Sequence, residues 1–268
     1  MTTTQNKITI PAKDDLYFCG YYTATNGQGV KYIDSNGYLT LDADNTHFTE
    51  NGTLYAYWRN LPEEYKQVDY IESTGTQYID TKYVPNKDIE TEMVIYLTDT
   101  EEEYQLFFGV IENSNQYYIG KGSKINYNIS YHYAGTTAKS ISFTKANYTG
   151  MKKIHTKKNM TIETEDGSTI STEENNNQTY EFENTAFVFA ERNGANDVRM
   201  RTKMKLYSLK IWENGELKRN FVPCYAKTSV TNVDGTTCPI ETIGLYDKVE
   251  NKFYTNKGTG TFLKGNDV

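Results

Sequence analysis

The residues best suited to proton transfer or transition-metal binding near neutral pH are three histidines, His47, His132 and His155. They are scattered, and none falls into a zinc-binding spacing such as HExxH. No Gly-x-Ser-x-Gly elbow is present to present a nucleophilic serine. Gly120-Lys-Gly-Ser-Lys124 is rich in glycine but lacks phosphate-loop spacing, and no helical pattern follows it, so it reads as a turn. Asp42-Ala-Asp44-Asn45 has the acidic start of a calcium loop. Its register fails, with His47 where the sharp turn needs glycine and Thr53 where a bidentate glutamate belongs. Glu101-Glu102-Glu103 could supply one carboxylate to a cation or to glycosidic chemistry, which requires a second carboxylate on a facing strand. The sequence assigns no catalytic residue, no metal ligand and no cofactor, and the expectation is a protein that is not an enzyme.

Aromatic residues remain. Tyr117-Tyr118 and Tyr131-His132-Tyr133 put rings on both faces of predicted strands, and Trp212 sits in another. Rings beside Asn and Asp side chains suit sugar recognition, because a ring packs on C–H faces while amides and carboxylates bond hydroxyls. Tyr117, Tyr131, His132 and Tyr133 are therefore the candidate glycan-binding residues. The competing reading is packing: in a chain so poor in leucine, tyrosine is core material. The Asn-x-Thr triplets, such as Asn51-Gly-Thr and Asn147-Tyr-Thr, read as coincidences of an Asn- and Thr-rich composition.

The elements that would carry these residues are strands. Ile89–Leu97, Tyr104–Val110, Gln116–Ile119, Ile125–Tyr133 and Lys203–Trp212 are β-rich, and several alternate polar and apolar residues with period two. Helical periodicity is nearly absent, with one possible turn at Pro62–Tyr65. Pairs able to adopt positive φ punctuate the chain, among them Asn36-Gly37, Asp166-Gly167, Asn214-Gly215 and Asp234-Gly235. The run Lys210–Lys218, with strand residues on both sides of Asn214-Gly215, is the clearest predicted hairpin. Many short strands at this spacing predict an all-β antiparallel sandwich or barrel. A boundary is expected near Asn60, where Pro62 interrupts any ladder. That divides the chain into a small β module over residues 1–59 and a main body over 60–268, with Ser171–Gln178 as a polar loop inside the latter.

Composition narrows the functional classes. Leu, Ile, Val and Phe make up about a fifth of the 268 residues, near the level where disorder competes. The 24 tyrosines and an aromatic content of 14% argue for a folded chain instead. With 28 Lys+Arg against 35 Asp+Glu the net charge is −7, and the one basic cluster, Met151–Met160, is bracketed by acidic segments. A nucleic-acid partner is therefore not expected. No apolar run approaches a membrane span. Met1–Ile10 is polar and without an apolar signal core, so no secretory route is expected. Cys19, Cys224 and Cys238, odd in number, fit a reducing compartment and half-buried free thiols; Cys224 and Cys238 would pair only if geometry brought them together.

Two resemblances add to this. Gly20-Tyr-Tyr-Thr23, Gly27-Gln-Gly-Val-Lys-Tyr32 and Thr53-Leu-Tyr-Ala-Tyr-Trp58 together resemble a single Listeria–Bacteroides repeat, with Tyr21 where tryptophan is usual. That resemblance implies a small β-grasp-like spacer or contact module. The segment from Leu61 to Thr81 (LPEEYKQVDYIESTGTQYIDT) resembles the opening of the laminin G-like, concanavalin-type domains found in phage structural proteins and gut-bacterial surface proteins. So do Lys210-Ile-Trp-Glu-Asn-Gly215, Phe221-Val-Pro-Cys-Tyr225, Gly244-Leu-Tyr-Asp247 and the segment Lys252–Phe262, in that order. Residues 226–240 depart as a lengthened loop. The resemblance implies a two-sheet jelly roll in which Gly75 and Gly244 make turns, Tyr78, Tyr246 and Phe253 pack, and Asp80 and Asp247 cap loops. It fixes no ligand, since such sandwiches carry lectins, protein-binding modules and enzymes alike.

The combined expectation is a virion-surface protein of a bacteriophage: a fibre, receptor-binding or capsid-decorating component. Its N-terminal module would attach to other virion proteins, and its sandwich would bind host cell-surface polysaccharide. It could act as a homo-oligomer. The alternative is a bacterial surface adhesin or carbohydrate-binding module, and a glycan-cleaving enzyme ranks behind both.

Overall fold

The computed structural model describes residues 7–40, 51–98, 104–112, 115–133, 137–174, 181–195 and 197–268. The acidic loop at Asp42–His47, the run Glu101–Glu103 and residues 175–178 of the polar loop lie outside them. The chain divides into two compact units, Met1–Gln67 and Val68–Val268.

In the first unit, Tyr17–Tyr22 lies between Lys31–Ile33 and Tyr55–Arg59 in an antiparallel sheet. Phe18 meets Trp58 edge to face at 5.5 Å, and Tyr22 meets Tyr57 at 5.8 Å, so aromatic pairs do the packing that aliphatics do elsewhere. Glu63 receives Lys31 at 2.6 Å and the Tyr22 hydroxyl at 3.3 Å. Pro62–Tyr65 closes as a turn through Tyr65 N to Pro62 O rather than as helix.

The second unit is a β-sandwich. One sheet runs Lys139–Ser142, Asn128–Tyr133, Asn115–Lys121, Gln105–Glu112, Phe187–Val188, Ile79–Asp80. The other runs Thr169–Ser171, Met160–Thr164, Gly150–Thr156, Ile89–Leu97, Lys203–Glu213, Glu216–Ala226, Ile243–Asp247, Lys252–Thr255. Neighbours along both are antiparallel, as predicted. Strand 89–97 shows why: Ile89, Thr91, Met93, Ile95 and Leu97 are buried and the residues between them half-buried, so one face enters the core. Asn214 and Gly215 both take positive φ, 51° and 80°, the geometry of a two-residue hairpin turn whose twist matches its strands.

The core is a continuous layer between the sheets. Met93, Ile95, Ile154, Leu206, Leu209, Phe221 and Leu245 come from one side, and Ile79, Phe108, Val110, Tyr117, Ile119, Ile129, Tyr131 and Val188 from the other. Each such large side chain contributes roughly 1.5–3 kcal/mol by leaving water. The sandwich also ties its own ends together: Ile71 and Glu72 pair with Lys264 and Leu263, and Val68 bridges to Asp267.

Several expectations change in detail. Gly244 makes no turn; it lies within strand 243–247, where the Tyr254 carbonyl occupies the space a Cβ would need. Asp247 does cap a loop, accepting from Asn220 N at 2.8 Å and Val249 N at 3.1 Å. A short helix at Lys145–Tyr148, capped by Thr144, appears where no periodicity announced it, because four residues are too few to show one. All three cysteines are free and buried rather than half-buried. Burial pushes the Cys19 thiol up to about 11, and it raises Cys224 and Cys238 as well. With so little thiolate, the native protein is expected to react far more slowly with a soluble disulfide reagent at pH 7.5 than the urea-unfolded chain. Native labelling at the unfolded rate would place a thiol at the surface.

Candidate functional site

Strand register decides which aromatic residues meet the core. Ile79, Val188, Phe108, Ile119 and Tyr131 are consecutive partners across the smaller sheet and form one buried row. Val110, Tyr117 and Tyr133 form the next. Tyr117, Tyr131 and Tyr133, three of the four predicted glycan-binding residues, therefore belong to the core. Tyr117 and Tyr131 are 0% exposed and Tyr133 2%, which leaves no ring face for a sugar. Two of the hydroxyls find partners inside: Tyr131 donates to Lys157 O at 2.7 Å, and Tyr133 donates to Lys87 O. His132 points the other way. Its Nδ1 lies 3.0 Å from Gln116 Oε1, and its ring stands edge-on to Tyr118 at 5.4 Å.

The face away from the core carries a row of different character: Asp80, Phe187, Gly109, Tyr118 and His132, again consecutive partners across the sheet. The glycine removes a side chain between two aromatic positions. At the Asp80 end, an open depression of about 350 Å³ is lined by Tyr78, Asp80, Lys82, Phe187, Arg192, Lys257 and neighbours. Tyr78 stacks on Phe187 with ring centres 5.0 Å apart and planes 29° from parallel. The Arg192 guanidinium lies 5.2 Å from the Phe187 centroid, and Arg201 lies 6.0 Å from that of Tyr78.

The polar groups here are fixed by one another. Asp80 accepts from Thr185 Oγ1 at 2.6 Å, from Lys82 N at 3.0 Å and from Lys82 Nζ at 2.9 Å. Lys82 Nζ also reaches Asp234 at 2.9 Å, and Lys257 pairs with the other oxygen of Asp234. Burial works to raise the Asp234 carboxyl, but hydrogen bonds from Lys257 and Lys82 outweigh it and hold the carboxyl below its ordinary value. Burial likewise works against Lys82, and its bonds to Asp80 and Asp234 raise it overall. Both stay ionised at neutral pH. Arg192 donates to Thr185 Oγ1 at 2.8 Å and to the carbonyls of Gly194 and Ala195. Such an array offers donors and acceptors in set directions beside a ring face.

Next to this lies an acid of unusual state. Glu191 is 1% exposed, and neither carboxylate oxygen has a hydrogen-bond partner among the described residues. Burial pushes its carboxyl up to about 7; Arg199 draws it down and Asp197 pushes it further up. Burial and the Glu191 charge together raise the Tyr118 phenol. Among the described residues, no group of three or more His, Cys, Asp or Glu side chains is placed to hold a metal ion.

Sequence reasoning missed Tyr78, Phe187, Arg192 and Glu191 as a set because residues 78 and 187 are joined only by strand pairing. A signal for the tyrosine error did exist: Ile119 is in phase with Tyr117, and Ile129 with Tyr131 and Tyr133, which marks those rings as inward.

No protein-family model matches the chain, and no curated protein matches it by sequence. Among solved structures it is similar to domains LG4-5 of the mouse laminin alpha1 chain, at 10% identity and a TM-score of 0.40. The likeness covers 63% of this chain and 47% of that one, so the chain spans about half the length of that structure.

Proposed function

We propose that the sandwich is a non-catalytic glycan-binding module. The observation that carries this reading is the Tyr78–Phe187 stack in an open depression, flanked by Arg192 and by Asp80 and Lys82 in fixed geometry. A pyranose C–H face rests on Tyr78, and ring hydroxyls exchange hydrogen bonds with the charged groups around it. What supports the non-catalytic part is Glu191: among the described residues its carboxyl, pushed up to about 7 by burial, is 1% exposed. On this reading Tyr78→Ala, though less stable for losing its contact with Phe187, remains folded and binds host-surface polysaccharide about tenfold more weakly. Titration of immobilised polysaccharide with both proteins checks it, and equal binding by the variant would sink the assignment.

We further propose that the module works on a bacteriophage virion, with the first unit attaching to other virion proteins and the sandwich facing host glycan. Several copies on one particle would let weak sugar contacts sum to firm adhesion. The sequence resemblances support this setting. Immunogold labelling of intact particles with antibody to residues 68–268 tests it; label on host cells and none on particles would favour the bacterial adhesin.

A further inference from the structure

A second hollow lies well away in sequence from Tyr78 and Phe187, between the segment leading into strand 150–156 and the hairpin of strands 160–164 and 169–171. It measures about 380 Å³ and is lined by Phe143, Ala146, Lys152, Glu165, Asp166 and Ile170 among others. Lys152 is the unusual member, since a lysine only 2% exposed is rare without an ion-pair partner. Its Nζ donates to the carbonyls of Thr149 at 3.0 Å and Met151 at 3.2 Å and lies 5.6 Å from the Phe143 ring centroid. An ammonium carries three donors, so one remains after those two bonds. Burial lowers the Lys152 amine, and Glu165 and Asp166 oppose that through their charge alone.

Gly150 lies close to both of the opposed charges. A Cβ at that position would stand 3.3 Å from Glu165 Oε2 and 3.9 Å from Lys152 Nζ, and the residue takes φ of +94°, which disfavours any side chain. The glycine thus keeps open a gap with a fixed donor on one side and a carboxylate acceptor on the other. Phe143, Ala146 and Ile170 supply an apolar wall. The site already holds two carboxylates against one ammonium, so an added anion meets net repulsion. A hydroxyl suits the gap because its oxygen accepts from Lys152 while its hydrogen donates to Glu165.

We infer that this hollow is a second saccharide-binding site, taking a neutral pyranose whose hydroxyls bridge Lys152 and Glu165 and whose C–H face rests on Phe143. It stands on its own chemistry and does not require the Tyr78 depression to bind. If both act, one module grips a branched or folded polysaccharide at two points.

The test is amide NMR titration of the full chain with methyl α-glucopyranoside and methyl β-galactopyranoside. At least one should shift the amides of Asn147, Gly150 and Ser168 saturably at millimolar concentration. Glu165→Ala, at an exposed position, and Lys152→Met should each weaken that binding about tenfold, and Tyr78→Ala should leave it unchanged. Three results would overturn the inference: no shifts from either pyranoside, the same dissociation constant in Glu165→Ala as in the parent, or equal shifts from sodium acetate, which would mark a plain anion site. Loss of polysaccharide binding in Tyr78→Ala with these shifts intact supports both sites. Unchanged polysaccharide binding in that variant removes the first reading and leaves this one standing.

Discussion

Replacing Tyr131 by alanine is expected to lower stability by about 3–5 kcal/mol, and the melting temperature by roughly 10 °C. The ring is 0% exposed, meets Tyr117 edge to face at 6.0 Å and Tyr133 at 5.8 Å, and sits among core partners from both sheets. Truncation removes those contacts and leaves a cavity that rigid neighbouring strands cannot close. Tyr131→Phe isolates the hydroxyl: it strands the Lys157 carbonyl that the phenol now bonds at 2.7 Å and should cost about 1–2 kcal/mol. His132→Ala, one residue along and on the opposite face, should shift stability by less than about 1 kcal/mol. Guanidinium unfolding of the three variants reads all of this. A denaturation midpoint unchanged in Tyr131→Ala would return that ring to the surface and revive it as a sugar platform.

Glu191 gives the second large effect, in the pH dependence of stability. Its carboxyl titrates at about 7 in the fold against an ordinary 4.5, because burial without a partner penalises the charge. Below the ordinary value both folded and unfolded chains hold the proton, and the group costs nothing. Between about 4.5 and 7 the unfolded chain ionises while the fold keeps its proton, so stability falls as pH rises. At about 1.4 kcal/mol per unit, the loss approaches roughly 3 kcal/mol by pH 7–8. Glu191→Gln removes the titration. It should match the parent near pH 4.5, exceed it by up to about 3 kcal/mol at pH 8, and show a flatter stability curve in between. Parallel curves for the two proteins would mean that Glu191 ionises freely.

How far the sequence foretold these features varied with the distance over which each is encoded. Strand 89–97 and the Asn214-Gly215 hairpin were legible because alternation and turn chemistry are local. The inward turn of Tyr117 and Tyr131 was misread because tyrosine fits either face, and only its phase with Ile119 and Ile129 separates the two. The Tyr78–Phe187 stack could not be read at all: its partners meet through register between strands far apart in the chain. The Lys152–Glu165 gap was illegible for a different reason: its strands are neighbours in the chain, but the decisive residue is Gly150, which carries no chemistry of its own.

The pairing of Ile71 and Glu72 with Lys264 and Leu263, together with the bridge from Val68 to Asp267, bears on how the protein is made. A ribosome delivers residue 71 long before residue 264, so the first strand of the sandwich waits with an unpaired edge until the last one emerges. Interior hairpins such as 203–226 can form during that interval, but the sandwich closes only after residues 263–267 are free. A nascent chain stalled or cut before residue 263 would keep most of its core and lack its closing seam. For the same reason, joining positions 68 and 267 by a short linker and opening the chain at the 214–215 turn should yield a permuted sandwich with the same strand order in space.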